Sequence, residues 1–316
     1  MMNNIKILFM GTPDFANFSL KALVEGGKNV VGVVTQPDKP QGRGYTLTPP
    51  PVKRYAEEKG IAVYQPKTLR GEEFAALLDL IAPDMIIVAA YGKILPENVI
   101  NYPKYGCINV HGSYLPYYRG AAPMQRAIID GNDYTGVTIM KMDVGLDTGD
   151  MISRVKIAIE PDDNFESIHD KLGESGAQLL LSTIDDIVNG TAVYEKQDDA
   201  LANYAAKIEK ADCVIDFSKS AKEVCDLVRG LSPIPLALTR TPNGKLIKVI
   251  EAKLTENSTK KAFGTVVGTD NGIEVACGDG KTVLITRVLP EGRSKMDAAA
   301  FVRGRGVAEG DILSWQ

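Results

Sequence analysis

Residues 84–92, DMIIVAAYG, and 107–113, CINVHGS, are two near-continuously apolar runs, each closing on a glycine-bearing turn. Such runs are buried on both faces, as strands of a parallel sheet covered by helices are, whereas a half-exposed antiparallel strand alternates apolar with polar residues. Three earlier runs share the character: IKILFMG, VVGVVTQ and IAVYQP. Between the strands, FANFSLKALVEGG, VKRYAEEKG and GEEFAALLDLIA carry apolar residues at three-to-four spacing and end near Gly or Pro, which is the helical pattern. Alternation of strand and helix predicts an α/β fold, a doubly wound Rossmann-like parallel sheet. The later run TGVTIMKMDVGLDTGDMISRVKIAIE reads as two strands joined by a Gly/Asp-rich loop, and NFESIHDKLGESGAQLLLSTIDDIVNG as a long closing helix, so a first domain is set at residues 1–189.

The pattern weakens after Gly190, and the polar residues 190–206 read as a linker. From 207 to 316 one helix candidate, SAKEVCDLVRGL, is followed by short alternating segments broken by turn signals, LALTRTPNGKLIKVIEAKL and GTVVGTDNGIEVACGDGKTVLITRVL. Five strands of this length suit a small OB-like antiparallel β-barrel domain.

A chain of 316 residues accommodates two such cores without staples. Its four cysteines are far apart, with no C-x-x-C and no Cys/His cluster, so reduced thiols, no metal and a cytoplasmic location are expected. No apolar stretch reaches membrane-spanning length, so no membrane association is expected. The net charge of -4 argues against a protein that coats nucleic acid generally, but it is uneven: residues 1–206 hold 26 acidic against 19 basic side chains, and residues 207–316 hold 17 basic against 14 acidic. The tail is basic relative to the body.

Motifs narrow the chemistry. The turn MGTPDFA lacks G-x-G-x-x-G, and no G-x-x-x-x-G-K-[ST] is present, so neither dinucleotide nor ATP chemistry has a motif behind it. There are two histidines, and His111 is the unusual one because it ends an apolar strand-like run. On a strand, Asn109 and His111 share one face, at the carboxyl end where open α/β sheets place ligands. Asp147, in MDVGLDTGD, lies in a loop whose glycines permit close backbone approach. Strand-end capping and ordinary Asp-Gly turns use the same residues, and spacing alone does not choose between the readings. Chemically, the trio suits acyl transfer to an amine: a carboxamide N–H for developing oxygen charge, an imidazole whose ordinary pKa of about 6.5 suits proton transfer, and a carboxylate to hold it. A serine hydrolase would need a G-x-S-x-G elbow, which is missing.

INVHGSYLPYYRGAAP (108–123) followed by DVGLDTGD resembles the formyltetrahydrofolate-dependent formyltransferase family. The resemblance implies 10-formyltetrahydrofolate as co-substrate, with Asn109, His111 and Asp147 acting on the formyl carbon and Ser113, Tyr114, Leu115 and Pro116 lining the tetrahydrofolate site. The family usually has Leu where this chain has Tyr114. YGKILP (91–96) resembles the segment whose backbone receives the pterin ring, which adds Ile94 and Leu95. QPDKPQGRGYTLTPPPVK (36–53) resembles an insertion of the members that act on methionyl initiator tRNA, with Arg43 at the position of a tRNA-contacting residue. On this reading the partners are folate and methionyl initiator tRNA, and a monomer is expected. Two rivals stay open: a non-catalytic RNA-binding protein, and a folate enzyme acting on a nucleotide sugar or small amine.

Overall fold

The computed structural model describes residues 5–41 and 45–315. Arg43, the tRNA contact implied by the sequence, lies outside them. The chain runs β1 (Ile7–Gly11), α1 (Asp14–Glu25), β2 (Val30–Val34), β3 (Lys39–Gln41), β4 (Thr46–Thr48), α2 (Pro51–Glu58), β5 (Val63–Tyr64), α3 (Glu72–Ile81), β6 (Met85–Ala89), α4 (Glu97–Ile100), β7 (Cys107–His111), β8 (Arg119–Gly120), α5 (Pro123–Ile129), β9 (Tyr134–Lys141), β10 (Met151–Ala158) and α6 (Phe165–Asn189). β11 (Tyr204–Ala205), α7 (Ala221–Gly230), β12 (Ala237–Arg240), β13 (Leu246–Ser258), β14 (Val266–Gly268), β15 (Ile273–Ala276), β16 (Lys281–Pro290), β17 (Met296–Asp297) and α8 (Ala298–Arg303) follow. These form two compact units. One runs from the start of the described chain to Gly120 and includes Thr135–Ile157 and His169–Tyr204; the other holds Ala121–Tyr134, Ala158–Ile168 and the chain from Ala205 onward.

The first unit is built on a seven-stranded sheet in the order β10-β9-β7-β6-β1-β2-β5. Every residue of β1, β6 and β7 is buried, which accounts for the unbroken apolar sequences of β1 and β6; in β7 the buried polar residues are Asn109 and His111. From β1 the chain winds outward through β2 to β5, then returns to pair β6 and β7 on the other side, parallel throughout. The order therefore reverses between β1 and β6, and their carboxyl ends open a crevice where doubly wound sheets bind ligands. Thr12, just past β1, ties this switch point by donating its hydroxyl to the Tyr91 carbonyl at 3.0 Å. The sheet is mixed: β9 pairs with β7 antiparallel, setting Asn109 opposite Met140 and His111 opposite Thr138.

In the second unit α7 starts with a reciprocal cap between Ser220 and Glu223, which satisfies two backbone donors that a helix start leaves open. It packs Val224 and Val228 into a core with Ile247, Val249, Val275, Val283, Ile285 and Phe301. The antiparallel sheet has the order β12-β13-β16-β15-β14, with β17 added on β16. Its two edges are joined by the carboxyl-terminal segment. The Leu313 N–H donates to Gly264 O at 2.8 Å, and Ser314 exchanges backbone bonds with Arg240 on β12. The barrel is thus closed by three residues that carry no strand pattern of their own.

That closure is testable. Leu313 is fully buried and pins the segment that covers both sheet edges, so Leu313→Ala should destabilise the second unit by about 2–5 kcal/mol in chemical denaturation. A loss of less than about 1 kcal/mol would mean that the segment is peripheral to the barrel.

Candidate active site

Asn109 and His111 project from the same face of β7 near its carboxyl end, 8% and 6% exposed. The period-two placement read from the sequence is therefore realised. His111 Nε2 lies 3.0 Å from the Tyr118 carbonyl oxygen. A carbonyl only accepts, so Nε2 carries the proton and donates. The other nitrogen, Nδ1, faces Asp147 Oδ2 at 3.6 Å. Nδ1 is thus the ring atom available to take up or release a proton, beside a carboxylate that balances the charge. Among the described residues no hydrogen bond engages the Asn109 carboxamide, so its N–H groups are available to a ligand.

Backbone geometry makes this arrangement. Tyr118, Gly120 and Asp147 all have left-handed φ, at 61°, 119° and 53°. This conformation is easy for glycine and uncommon for the other two, and such strain gathers where a site over-determines the chain. Gly120 N–H, turned inward by its φ, donates to Asp147 Oδ2 at 2.9 Å. Gly149 is required by close approach: a Cβ there would stand 1.8 Å from the Lys141 carbonyl oxygen. Asp143 Oδ1 accepts from Gly145 N–H and from the Thr148 hydroxyl, at 3.0 and 2.7 Å, which folds the loop back on itself. Gln197 donates to the Asp147 and Gly149 carbonyls, each at 2.8 Å. The structure brings together Asn109, His111 and Asp147, the trio expected from the sequence. Tyr118, Gly120 and Gln197, which bond to this trio and its loop, were not expected, and two of them bond through main-chain groups that no residue type announces.

The folate-site residues implied by resemblance divide. Ser113 is fully buried and donates its hydroxyl to Tyr117 O at 2.6 Å. Leu115 is fully buried against Met140 and Met151, and Leu95 and Pro116 are buried as well. Their side chains build the wall; only their main chain could meet a ligand. Thr138 fixes that main chain by accepting from Leu115 N–H at 3.0 Å and donating to Ser113 O at 2.8 Å. The Tyr114 ring lies beneath Arg154 and Lys156, whose charged groups sit 4.9 and 5.1 Å from its centroid. Ile94, at 83% exposure, is the one apolar side chain of the set free to receive a ring.

The basic insertion is a β3–β4 hairpin whose base is braced. Lys53 Nζ reaches both carboxyl oxygens of Asp38, at 2.9 and 3.0 Å, and Gln65 Oε1 at 3.0 Å. Hydrogen bonds from Gln65 and Lys53 hold the Asp38 carboxyl below the usual carboxylate range. Lys53 is therefore a structural cation. The four cysteines are buried free thiols, and burial pushes Cys107, Cys225 and Cys277 up to about 12, so none is poised as a nucleophile. His169 lies edge-on to Phe15 and Phe18 with Asp170 at 2.8 Å, a structural imidazole. Among the described residues no group of His, Cys, Asp or Glu could hold a metal ion, and no helix is long and apolar enough to cross a membrane.

Comparison with known proteins identifies the family. Residues 3–184 match the family profile described as formyl transferase, and residues 207–306 that described as formyl transferase, C-terminal domain. The chain is 46% identical to a methionyl-tRNA formyltransferase of Bacillus velezensis over 98% of its own length and 97% of the relative's. It is equally identical to one from Geotalea daltonii, with 98% of each chain covered. In fold it is similar to an N-formyltransferase from Helicobacter canadensis solved with folinic acid and dTDP-3-aminofucose, at TM-score 0.67 and 20% identity over 89% of this chain and 98% of that one. With matches in both units and near-half identity along nearly its whole length, the chain belongs to the formyl transferase family.

Proposed function

We propose that the chain transfers the formyl group of 10-formyltetrahydrofolate to the α-amino group of methionyl initiator tRNA, giving formylmethionyl-tRNA for translation initiation. The observation that carries this reading is the near-half identity to methionyl-tRNA formyltransferases through both matched regions, which the N-formyltransferase solved with dTDP-3-aminofucose, at 20%, does not share. In the proposed arrangement residues 1–189 form the catalytic domain, 190–206 the linker and 207–316 the tRNA-binding domain. The enzyme works as a monomer in the cytoplasm, where charged tRNA is used and where four free thiols stay reduced.

The residues present fit the folate co-substrate. Ala90 and Gly92 have left-handed backbone, at 44° and 84°, so the chain turns sharply past β6 and offers main-chain groups to a heterocycle beside exposed Ile94. In the reaction the amine nitrogen bonds to the formyl carbon as the bond from that carbon to the folate nitrogen breaks. Asn109 donates to the formyl oxygen as it gains charge. His111 Nδ1 takes the proton that the amine loses and returns it to the departing nitrogen, with Asp147 balancing the transient imidazolium. Arg43, in the sequence QGRGY, and the basic tail supply phosphate contacts that position the acceptor end without reading bases.

The direct test offers 10-formyltetrahydrofolate with charged initiator tRNA, uncharged tRNA, free methionine and an aminosugar nucleotide. Transfer to the charged tRNA alone is expected; preference for the sugar would move the protein to the small-acceptor class. Because Asn109 is assigned to the oxyanion, Asn109→Ala should lose about 3 kcal/mol of transition-state stabilisation. The loss should fall on kcat, and a defect confined to tRNA KM would reassign Asn109 to substrate positioning. Arg43→Ala should weaken use of the tRNA and make the slope of log kcat/KM against log salt shallower by about one. An unchanged slope would take Arg43 off the phosphates.

A further inference from the structure

Gln197 stands in the polar stretch that the sequence presents as a linker, yet its carboxamide reaches the loop that carries Asp147. Its Nε2 donates to the carbonyls of Asp147 and Gly149, at 2.8 Å each. Its Oε1 accepts from Arg119 Nε at 2.9 Å, and Arg119 Nη2 pairs with Asp199 at 2.8 Å. A guanidinium only donates and carbonyls only accept, so the two ends of the amide cannot exchange. Both amide N–H groups and the oxygen are used, and one side chain fixes the two peptides that follow Asp147 and Gly149.

We propose that Gln197 is a positioning residue for formyl transfer: it holds the left-handed Asp147 backbone so that Oδ2 stays between Gly120 N–H and His111 Nδ1. The inference rests on the assignment of His111 and Asp147 to proton transfer. Asp147 has an uncommon φ of 53° and a half-exposed neighbourhood, with Val144 and Leu146 on the surface, so local packing alone does little to hold it. The carboxylate needs a fixed backbone because its Oδ2 serves two partners in different directions, at 2.9 and 3.6 Å. Around Gln197 the same segment is stitched to the site at other points. Glu195 exchanges backbone bonds with Met151, and Asn203 accepts from Tyr118 N–H through its side chain and from Arg119 N–H through its backbone carbonyl. Residues 195–203 are therefore a strap across the catalytic loops, and Gln197 is its contact with Asp147.

A merely structural strap and a positioning amide make different demands on the residue. Gln197→Glu keeps the size and strengthens the bond to Arg119, so the strap stays tied, but it sets one carboxylate oxygen against two carbonyls. Gln197→Ala removes all three bonds. If Gln197 acts through Asp147, both variants should lower kcat about 10–100-fold, with the Glu variant no better than the Ala variant and the KM for 10-formyltetrahydrofolate within about twofold. Adding Gln197→Ala to Asp147→Ala should then cost less than about twofold more, because the group it positions is already gone. With ¹⁵N-glycine labelling, the Gly120 amide proton, shifted downfield by its bond to a carboxylate, should move upfield in both variants. A Glu variant with near wild-type kcat, a full additional loss on the Asp147→Ala background, or an unmoved Gly120 resonance would each overturn the proposal. If the unaltered enzyme formylated no tRNA, the functional reading would fall, while the Gly120 resonance would still decide the role of Gln197.

Discussion

The imidazole of His111 is fixed by one bond to a backbone carbonyl, and much of the site follows from it. Because Tyr118 O accepts from Nε2, only Nδ1 is left for chemistry, and a charge-balancing group must come to that side. Asp147 does so from a loop after β9, and Gly120, two residues past Tyr118, supplies the N–H that holds the carboxylate. The segment 118–120 therefore orients both members of the pair. An imidazole on a strand held to β9 through its last residue has few degrees of freedom, and the sheet converts that stiffness into placement.

Sheet and site are linked through the same hydrogen bonds. β7 is paired on both sides, parallel to β6 and antiparallel to β9, so Asn109 and His111 cannot shift without breaking ladders. Thr138, opposite His111 in that pairing, uses its hydroxyl to hold the main chain at Ser113 and Leu115. The loop that the family resemblance gives to folate thus presents main-chain groups and buries its apolar side chains as support. The Tyr114 departure from the family's Leu is accommodated away from that wall, under two cations on β10.

The parts legible in the sequence are those with a periodic signal. β1 and β6 are unbroken apolar runs, and β7 nearly so, because both faces are covered, and Asn109 and His111 share a face because strand period is two. Asp147 could be singled out for its glycine-bearing loop, but spacing alone did not separate it from an ordinary Asp-Gly turn; the resemblance favoured the functional reading. The bonds that make the trio a site were not legible, since Tyr118 O and Gly120 N–H belong to the backbone and Gln197 sits among polar residues of no periodicity. The barrel's closing segment at Ile312–Ser314 was missed because three residues are too short for a strand pattern, as were the β3–β4 hairpin and α5, with seven residues.

If His111 is the proton carrier of the transfer step, its removal should act on chemistry and leave binding alone. The most direct measurement is the single-turnover rate of His111→Ala with both substrates saturating. The expected result is a fall of about two to four orders of magnitude with 10-formyltetrahydrofolate affinity little changed. A near-normal single-turnover rate would contradict it.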